Sequence, residues 1–169
     1  MTEQKSLLVT QALDKMVQYF GADIRRINHA LKVYSFAGYI ARAENLPAEL
    51  ITFLEVAAVL HDIGIVEAEK KYNSSAGKYQ EMEGPAIAKM LMSDTEVDPV
   101  NLDRICFLVG NHHSYDKIDE IDFRILVEAD FLVNIKENKL EREMIESVKE
   151  KYFRTQTGIE ILESMYLND

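Results

Sequence analysis

The segment AAVLHDIGIV, at residues 57–66, places a histidine and an aspartate directly after an apolar run. Removing an ionised carboxylate from water is costly unless the group is hydrogen-bonded, paired or bound to a metal. A second segment, FRILVEADFLVNI at residues 123–135, raises the same requirement, because Asp130 lies inside a nearly continuous apolar run. The chain must therefore fold so that His61, Asp62 and Asp130 find polar or charged partners in its interior.

Apolar residues recur at helical spacing along most of the chain. Two long patterns run from residue 23 to 44 and from residue 47 to 60. Further helices are predicted at 85–93, 99–111, 121–137, 140–153 and 155–166. Pro47, Pro85 and Pro99 each stand where such a pattern begins, a position at which helices accept proline. Because no stretch shows convincing strand-like alternation, the sequence predicts an all-α fold, a compact single-domain helical bundle spanning residues 1–169.

Two local features modify this helical pattern. Gly64 suits a C-terminal cap for the helix that ends near the His-Asp pair. The polar stretch between Val66 and Glu83 contains the turn-forming run Asn73–Gly77 and predicts an exposed loop. Structureless loops of this length are uncommon and are often lids or binding elements.

Charge and composition restrict the partners. The formal net charge of -10 argues against a nucleic-acid polymer or an anionic membrane, because both bind clustered Lys and Arg. A content of 47% hydrophobic residues over 169 residues is enough for one core without disulfides. The N-terminus lacks the apolar segment of a signal peptide, and no stretch is long enough to span a bilayer. We therefore expect a cytoplasmic protein with a small-molecule partner.

Four side chains of metal-ligand type are embedded in apolar helical segments or at their ends: His29, His61, Asp62 and Asp130. Each alone has an ordinary explanation, since buried aspartates commonly cap helices or pair with arginine, and core histidines are commonly satisfied by hydrogen bonds. Together, two imidazoles and two carboxylates form a mixed nitrogen and oxygen set. Such a set suits Mn, Fe, Co, Ni or Zn and leaves coordination positions open for water.

The order of these residues resembles that of the HD-domain metal-dependent phosphohydrolases, which carry the pattern H...HD...D on a helical core. His29, the pair His61 and Asp62, and Asp130 match this pattern, and the resemblance covers about residues 24–135. It implies an all-helical fold, a metal held by those four side chains, and hydrolysis of phosphate esters of nucleotides or related metabolites. The C-terminal helices, at 140–167, are expected to complete the core or to form the face of a homodimer.

Two departures from the family pattern shape the functional hypothesis. Many relatives read HDIGK, whereas Ile65 follows Gly64 here, so the lysine that contacts phosphate in those relatives is missing. Relatives with two metals have a histidine at the position of Gln80, and a neutral amide is a poor metal ligand. We therefore expect one divalent transition metal ion. Two alternatives are a catalytically weak regulatory module that binds metal and ligand, and a metal-free domain whose buried polar groups only hydrogen-bond.

Catalytic roles follow from the expected metal, which would polarise a phosphoryl oxygen and lower the pKa of bound water. Asp62 is expected to orient that water. His112 or His113, in VGNHHSYD, is expected to protonate the leaving oxygen; the alternative for both is an exposed helix terminus. Glu67 is a candidate base or water-positioning residue, although an acidic residue that only aids solubility explains it equally well.

A small phosphorylated substrate, for which a nucleotide is one candidate, needs local cations. Arg25 precedes the first histidine by one helical turn and therefore shares its face, which makes it the leading phosphate ligand. Lys32 and Lys78 are further candidates, although most lysines face water. Tyr79 offers a ring for stacking on a nucleobase. Gln80, at the position vacated by the second-metal histidine, completes the predicted substrate-binding set.

Overall fold

The computed structural model describes residues 2–168, with side chains from residue 7 onward. The helices are α1 (Thr2–Phe20), α2 (Ile24–Ala43), α3 (Ala48–Leu60), α4 (Ile65–Tyr72), α5 (Gly77–Leu91), α6 (Pro99–Val109), α7 (Ile121–Glu137), α8 (Arg142–Tyr152) and α9 (Gln156–Leu162). A 3₁₀ turn at Tyr115–Lys117 precedes α7, and a π-helical segment at Glu163–Leu167 follows α9. Residues 2–168 contain no strand, and the predicted all-α fold is confirmed.

Helices α3 and α7 form the centre of the molecule. Helix α3 packs against α1, α2, α6 and α7, and every residue from 54 to 60 is buried. Helix α7 is buried on most sides between Phe123 and Ile135. A helix that is apolar nearly all round is stable in water only when other helices cover it. Any polar side chain on these two helices is consequently brought into the interior.

Side-chain caps mark several helix starts. Asp23 accepts a hydrogen bond from the Arg26 backbone N–H at the start of α2. Asp98 accepts from two backbone N–H groups at the start of α6, whose first residue is Pro99. These bonds satisfy donors that have no partner within the helix. The prediction that helices begin at Pro47 and Pro99 is confirmed.

The predicted loop between Val66 and Glu83 is wrong, because most of it is helical. Helices α4 and α5 occupy the segment, and residues 73–76 alone form a connection between them. Asn73 ends α4 in the left-handed conformation with φ of 50°. The polar residues that suggested a loop lie mostly on the exposed faces of two amphipathic helices, whereas Ala68, Gln80 and Gly84 are buried.

Two expectations about single residues are also wrong. Pro85 does not start a helix but lies within α5, where packing against α4 and α6 outweighs the hydrogen bond that proline cannot donate. Gly64 does not cap α3, because its φ of -72° is ordinary and it directly precedes α4. A Cβ atom at Gly64 would lie 2.3 Å from the Gln80 carbonyl oxygen and 2.6 Å from the Gly84 nitrogen. Close backbone packing between α4 and α5 therefore requires this glycine.

The two ends of the chain pack onto the central helices. Helix α1, which the sequence analysis did not identify, packs on α3 and contributes Ala12 and Met16 to the core. Helices α8 and α9 pack on α7, and Phe153 and Leu162 join the core. The dimer face and the single-domain boundaries stay predictions, and residues 1 and 169 lie outside the described part. Among the described helices, none combines the length and the apolarity that crossing a bilayer requires.

We expect Gly64→Ala to destabilise the protein by about 1–3 kcal/mol, because the added methyl group must displace the α5 backbone rather than a flexible side chain. Thermal unfolding followed by circular dichroism measures the loss. Lys70→Ala, an exposed change on the same helix, is the matched control and should lie within about 0.5 kcal/mol of the parent protein. Equal melting temperatures for the parent and Gly64→Ala would contradict the close helix contact.

Candidate metal centre

Three helices bring His29, His61 and Asp130 to one point in the interior. His29 lies on α2, His61 directly follows α3 and Asp130 lies on α7. The His29 Nε2 atom is 3.2 Å from His61 Nε2 and 3.2 Å from Asp130 Oδ1. All three residues are buried, and His61 is fully inaccessible to solvent. The structure thus gathers side chains that are separated widely in the sequence.

Hydrogen bonds on the far side of each imidazole determine what its inner nitrogen can do. His61 Nδ1 donates to the Ala58 carbonyl oxygen at 2.7 Å, and His29 Nδ1 donates to Glu137 Oε2 at 2.9 Å. In the neutral imidazoles both Nε2 atoms therefore carry lone pairs, which face each other and the Asp130 carboxylate. These atoms repel one another unless a proton or a metal cation lies among them. The donor set fits a divalent metal ion.

Asp62 connects this cluster to a second one. Its Oδ2 atom lies 3.5 Å from the Nε2 atoms of both His29 and His61, and its Oδ1 atom lies 3.2 Å from His112 Nε2. His112 Nδ1 donates to a backbone carbonyl at 2.9 Å, so its Nε2 atom also faces inward. His113 Nε2 is buried without a hydrogen-bond partner in the described structure. Asp62, His112 and His113 are close enough together to hold an ion.

The protonation equilibria show that the centre attracts positive charge. Burial lowers the pKa of His61, but the carboxylates of Asp62 and Asp130 outweigh burial and raise it to about 9. Burial likewise opposes ionisation of Asp62 and Asp130, yet the neighbouring imidazoles hold both pKa values well below their usual range. Burial and the adjacent His112 lower the pKa of His113 to about 4, so this imidazole is neutral at pH 7.

Helix α7 supplies two supporting side chains that the sequence analysis missed. Asn134 Nδ2 donates to Asp130 Oδ1 at 2.8 Å, and Glu137 accepts from His29. Both follow Asp130 at helical spacing, by four and seven residues, and this spacing is the signal that could have identified them. Lys32, predicted to bind substrate, instead places its ammonium 3.2 Å from Glu137 Oε1. Such outer partners fix the tautomer and orientation of a metal-binding histidine.

A cavity of about 400 Å³ opens beside the centre. Six of the predicted metal, catalytic and substrate-binding residues line it: Arg25, His29, Asp62, Gln80, His113 and Asp130. Arg25 and His29 thus share one wall, in keeping with their spacing on α2.

Among the predicted catalytic and substrate-binding residues, Glu67, Lys78 and Tyr79 lie outside this cavity. Glu67 is bonded to Lys70 at 2.9 Å on the exposed side of α4. Lys78 places its ammonium 4.5 Å from the centre of the Tyr79 ring. The catalytic role of Glu67 and the substrate-binding roles of Lys78 and Tyr79 stay predictions, but the structure directs these side chains elsewhere.

Comparison with known proteins gives the same family as the residue pattern. The family model of the HD domain matches residues 26–155, which is most of the chain. The chain belongs to the HD-domain family. The crystal structure of a predicted HD superfamily hydrolase from an uncultured Thermotogales bacterium is similar to this HD domain, with a TM-score of 0.68 and 21% sequence identity. The match covers 94% of this chain and 84% of that one, and at this identity it shows a shared fold. No curated protein matches the chain.

We expect Glu137→Ala to weaken Mn²⁺ binding by about 10–100-fold, because His29 loses the carboxylate that fixes its tautomer and increases its basicity. Glu137→Gln should lose less, since the amide oxygen can accept the same hydrogen bond. Isothermal titration calorimetry of the metal-free protein measures both affinities. Glu143→Ala, which removes an exposed glutamate from α8, is the matched control. An unchanged affinity in Glu137→Ala would show that this contact has no influence on the metal.

Proposed function

We propose that this HD-domain protein is a metal-dependent phosphohydrolase that acts on a phosphoester of a nucleotide or a related phosphorylated metabolite. One divalent ion, chosen from Mn, Fe, Co, Ni and Zn, is held by His29, His61, Asp62 and Asp130. The observation that carries the proposal is the convergence of these acceptor atoms at the wall of a cavity that also contains Arg25. The cytoplasmic location and the homodimer stay predictions from the sequence.

The protein's own side chains position the ester and its protons. The side chain of Arg25 makes no hydrogen bond or ion pair in the described structure, so its guanidinium is free to bind phosphate oxygens in a bidentate manner. When bound, the metal ion supplies Lewis acidity toward a phosphoryl oxygen and toward water. Asp62 accepts a hydrogen bond from the attacking water and orients it. His112 and His113 lie beside Asp62, and His113 lines the cavity, where its imidazole can donate a hydrogen bond to the leaving oxygen.

The two histidines differ in position and therefore in role. His113 lines the cavity, and its Nε2 atom has no partner, so it is placed to donate a hydrogen bond to the leaving oxygen as a neutral imidazole. His112 does not line the cavity, but its Nε2 atom can share a proton with Asp62 Oδ1 across 3.2 Å.

A regulatory module that binds metal and ligand with little turnover is the second candidate. Ile65 lines the cavity at the position where many relatives carry the phosphate-contacting lysine. Gln80 occupies the position of the second-metal histidine. Loss of both groups favours slow chemistry. The unpartnered Arg25 favours phosphate binding, which both candidates require, so phosphate release is the measurement that distinguishes them.

Elemental analysis of tag-free protein, combined with phosphate release from a panel of phosphoesters in added Mn, Co or Ni, tests the proposal. We expect about one equivalent of metal, because one site has a complete mixed donor set. His61→Ala and Asp130→Ala should each lose the bound metal and the activity. Asp116→Ala, which removes an exposed carboxylate, should keep both.

Each contrary result has a distinct meaning. Two equivalents of metal would contradict the single-ion assignment and place a second ion at Asp62, His112 and His113. Metal binding without phosphate release would favour the regulatory module. A protein that takes up no metal under any condition would refute the centre itself.

We expect Arg25→Ala to raise the Michaelis constant by at least about tenfold, since a charge-assisted contact to phosphate is lost. Metal content should stay unchanged because Arg25 makes no hydrogen bond or ion pair with the four acceptor side chains. Steady-state kinetics and elemental analysis on the same preparation measure the two effects. Lys89→Ala removes an exposed cation outside the cavity and is the control. A Michaelis constant equal to that of the parent protein would exclude Arg25 from the phosphate site.

A further inference from the structure

The amide of Gln80 presents an unsatisfied acceptor at the cavity. Its Nε2 atom donates to the Ser75 carbonyl oxygen at 2.7 Å, and because that oxygen can only accept, the orientation of the amide is determined. The Oε1 atom is buried without a hydrogen-bond partner, on a residue that is only 7% exposed. Buried acceptors are nearly always satisfied. A hydroxyl or amino group of a bound ligand can supply the missing donor.

The charges around the cavity allow for one phosphate group. Arg25 is a cation without a partner, whereas Arg26 is bonded to Asp23 at 2.9 Å and to Glu69 at 2.5 Å. The carboxylates of Glu69 and Glu137 also line the cavity and repel additional negative charge. The negative charge of one phosphate group that contacts both Arg25 and the metal centre is balanced by these two cations. A diphosphate or triphosphate would find no second free cation among the described lining residues.

The remaining lining suits hydroxyl groups rather than a nucleobase. Of the described lining residues, Ile65 alone is apolar, and none carries a phenyl, phenol or indole ring. Nucleobases are commonly held by stacking on aromatic rings, histidine included, or on an Arg guanidinium. The described lining groups of this kind already have other partners or roles: the histidines belong to the metal centre and the leaving-oxygen contact, Arg25 to the phosphate, and Arg26 to Asp23 and Glu69. Tyr72 and Tyr79 lie outside the cavity and stack on each other, with 4.3 Å between ring centres. The neutral lining consists of hydrogen-bonding side chains: Ser75, Gln80, Asn134 and Asn138.

From these observations we infer that the substrate is a phosphomonoester of a small hydroxylated compound, of the sugar or polyol phosphate class, with one hydroxyl donating to Gln80 Oε1. The inference rests on the proposed phosphohydrolase function and narrows its substrate. A cavity of about 400 Å³ is at the lower end of the usual range for small-molecule sites, which suits such a compound. Gln80 then serves in recognition, at a position where relatives with two metals bind an ion.

The test compares kcat/KM of the full-length, metal-loaded protein on ribose 5-phosphate, 2-deoxyribose 5-phosphate, glycerol phosphate, AMP, ADP and p-nitrophenyl phosphate. Ribose 5-phosphate and AMP form a matched pair, because in AMP the base replaces the C1 hydroxyl of the same phosphorylated sugar. We expect ribose 5-phosphate or glycerol phosphate to exceed AMP by at least about tenfold, and ADP to release no phosphate.

Gln80→Leu keeps the approximate size of the side chain and removes its oxygen. The ratio of kcat/KM on the preferred sugar phosphate to that on p-nitrophenyl phosphate, which has no hydroxyl donor, should fall about tenfold. Circular dichroism and metal content show whether Gln80→Leu is folded and loaded with metal. Asn138→Leu is a comparison variant, because it changes another cavity side chain and keeps the hydrogen bond between Gln80 and Ser75.

The failures of the two proposals are distinguishable. Higher kcat/KM on AMP or ADP than on every sugar or polyol phosphate would overturn the substrate class and leave the phosphohydrolase intact. An unchanged ratio in Gln80→Leu would remove Gln80 from recognition. Release of phosphate from none of the compounds, p-nitrophenyl phosphate included, would overturn the proposed function, and the substrate class with it.

Discussion

The rest of the structure depends on one constraint in the interior, where imidazole nitrogens and carboxylate oxygens face one another at short distance. His29 Nε2 and His61 Nε2 lie 3.2 Å apart, with the ionised Asp130 and Asp62 beside them. Such an arrangement is unfavourable without a cation, and it exists because α2, α3 and α7 pack tightly around it through apolar side chains. The metal-free protein can relieve the repulsion by protonating His61, which its raised pKa favours, and a metal ion can do so in its place.

The imidazoles of His29, His61 and His112 are each held in place by a hydrogen bond on the outer side. Backbone carbonyls of Ala58 and Val109 bind the Nδ1 atoms of His61 and His112. Glu137 does the same for His29, and its second oxygen is paired with Lys32, so the carboxylate is itself restrained. This outer layer consists of helix backbone carbonyls together with Glu137 on α7 and Lys32 on α2. The centre therefore has a defined set of inward-facing atoms.

The cavity wall opposite α2 depends on close contact between α4 and α5. Gly64 lets the backbones of these helices approach, and Gly77 makes room for the His113 ring, which lies 2.7 Å from where a Cβ atom would be. Gln80 then reaches the connection between the helices and bonds to Ser75. An exposed lid predicted from the polar sequence is thus replaced by two packed helices that present a fixed amide to the ligand.

The sequence by itself determined the helical class, most helix positions and the acceptor side chains of the centre, because these follow from local periodicity and from the cost of burying charge. It also placed Arg25 and His29 on one helix face. Tertiary structure decided that Glu137 supports His29, 108 residues away, that Lys32 serves that carboxylate, and that Gln80 has a free oxygen at the cavity. Tertiary structure also decided that the polar segment 66–83 is helical, because amphipathic helices and loops have a similar polar composition and only packing distinguishes them. Contacts between helices that are distant in the sequence depend on how their apolar faces pack, and this packing cannot be read from local residue spacing.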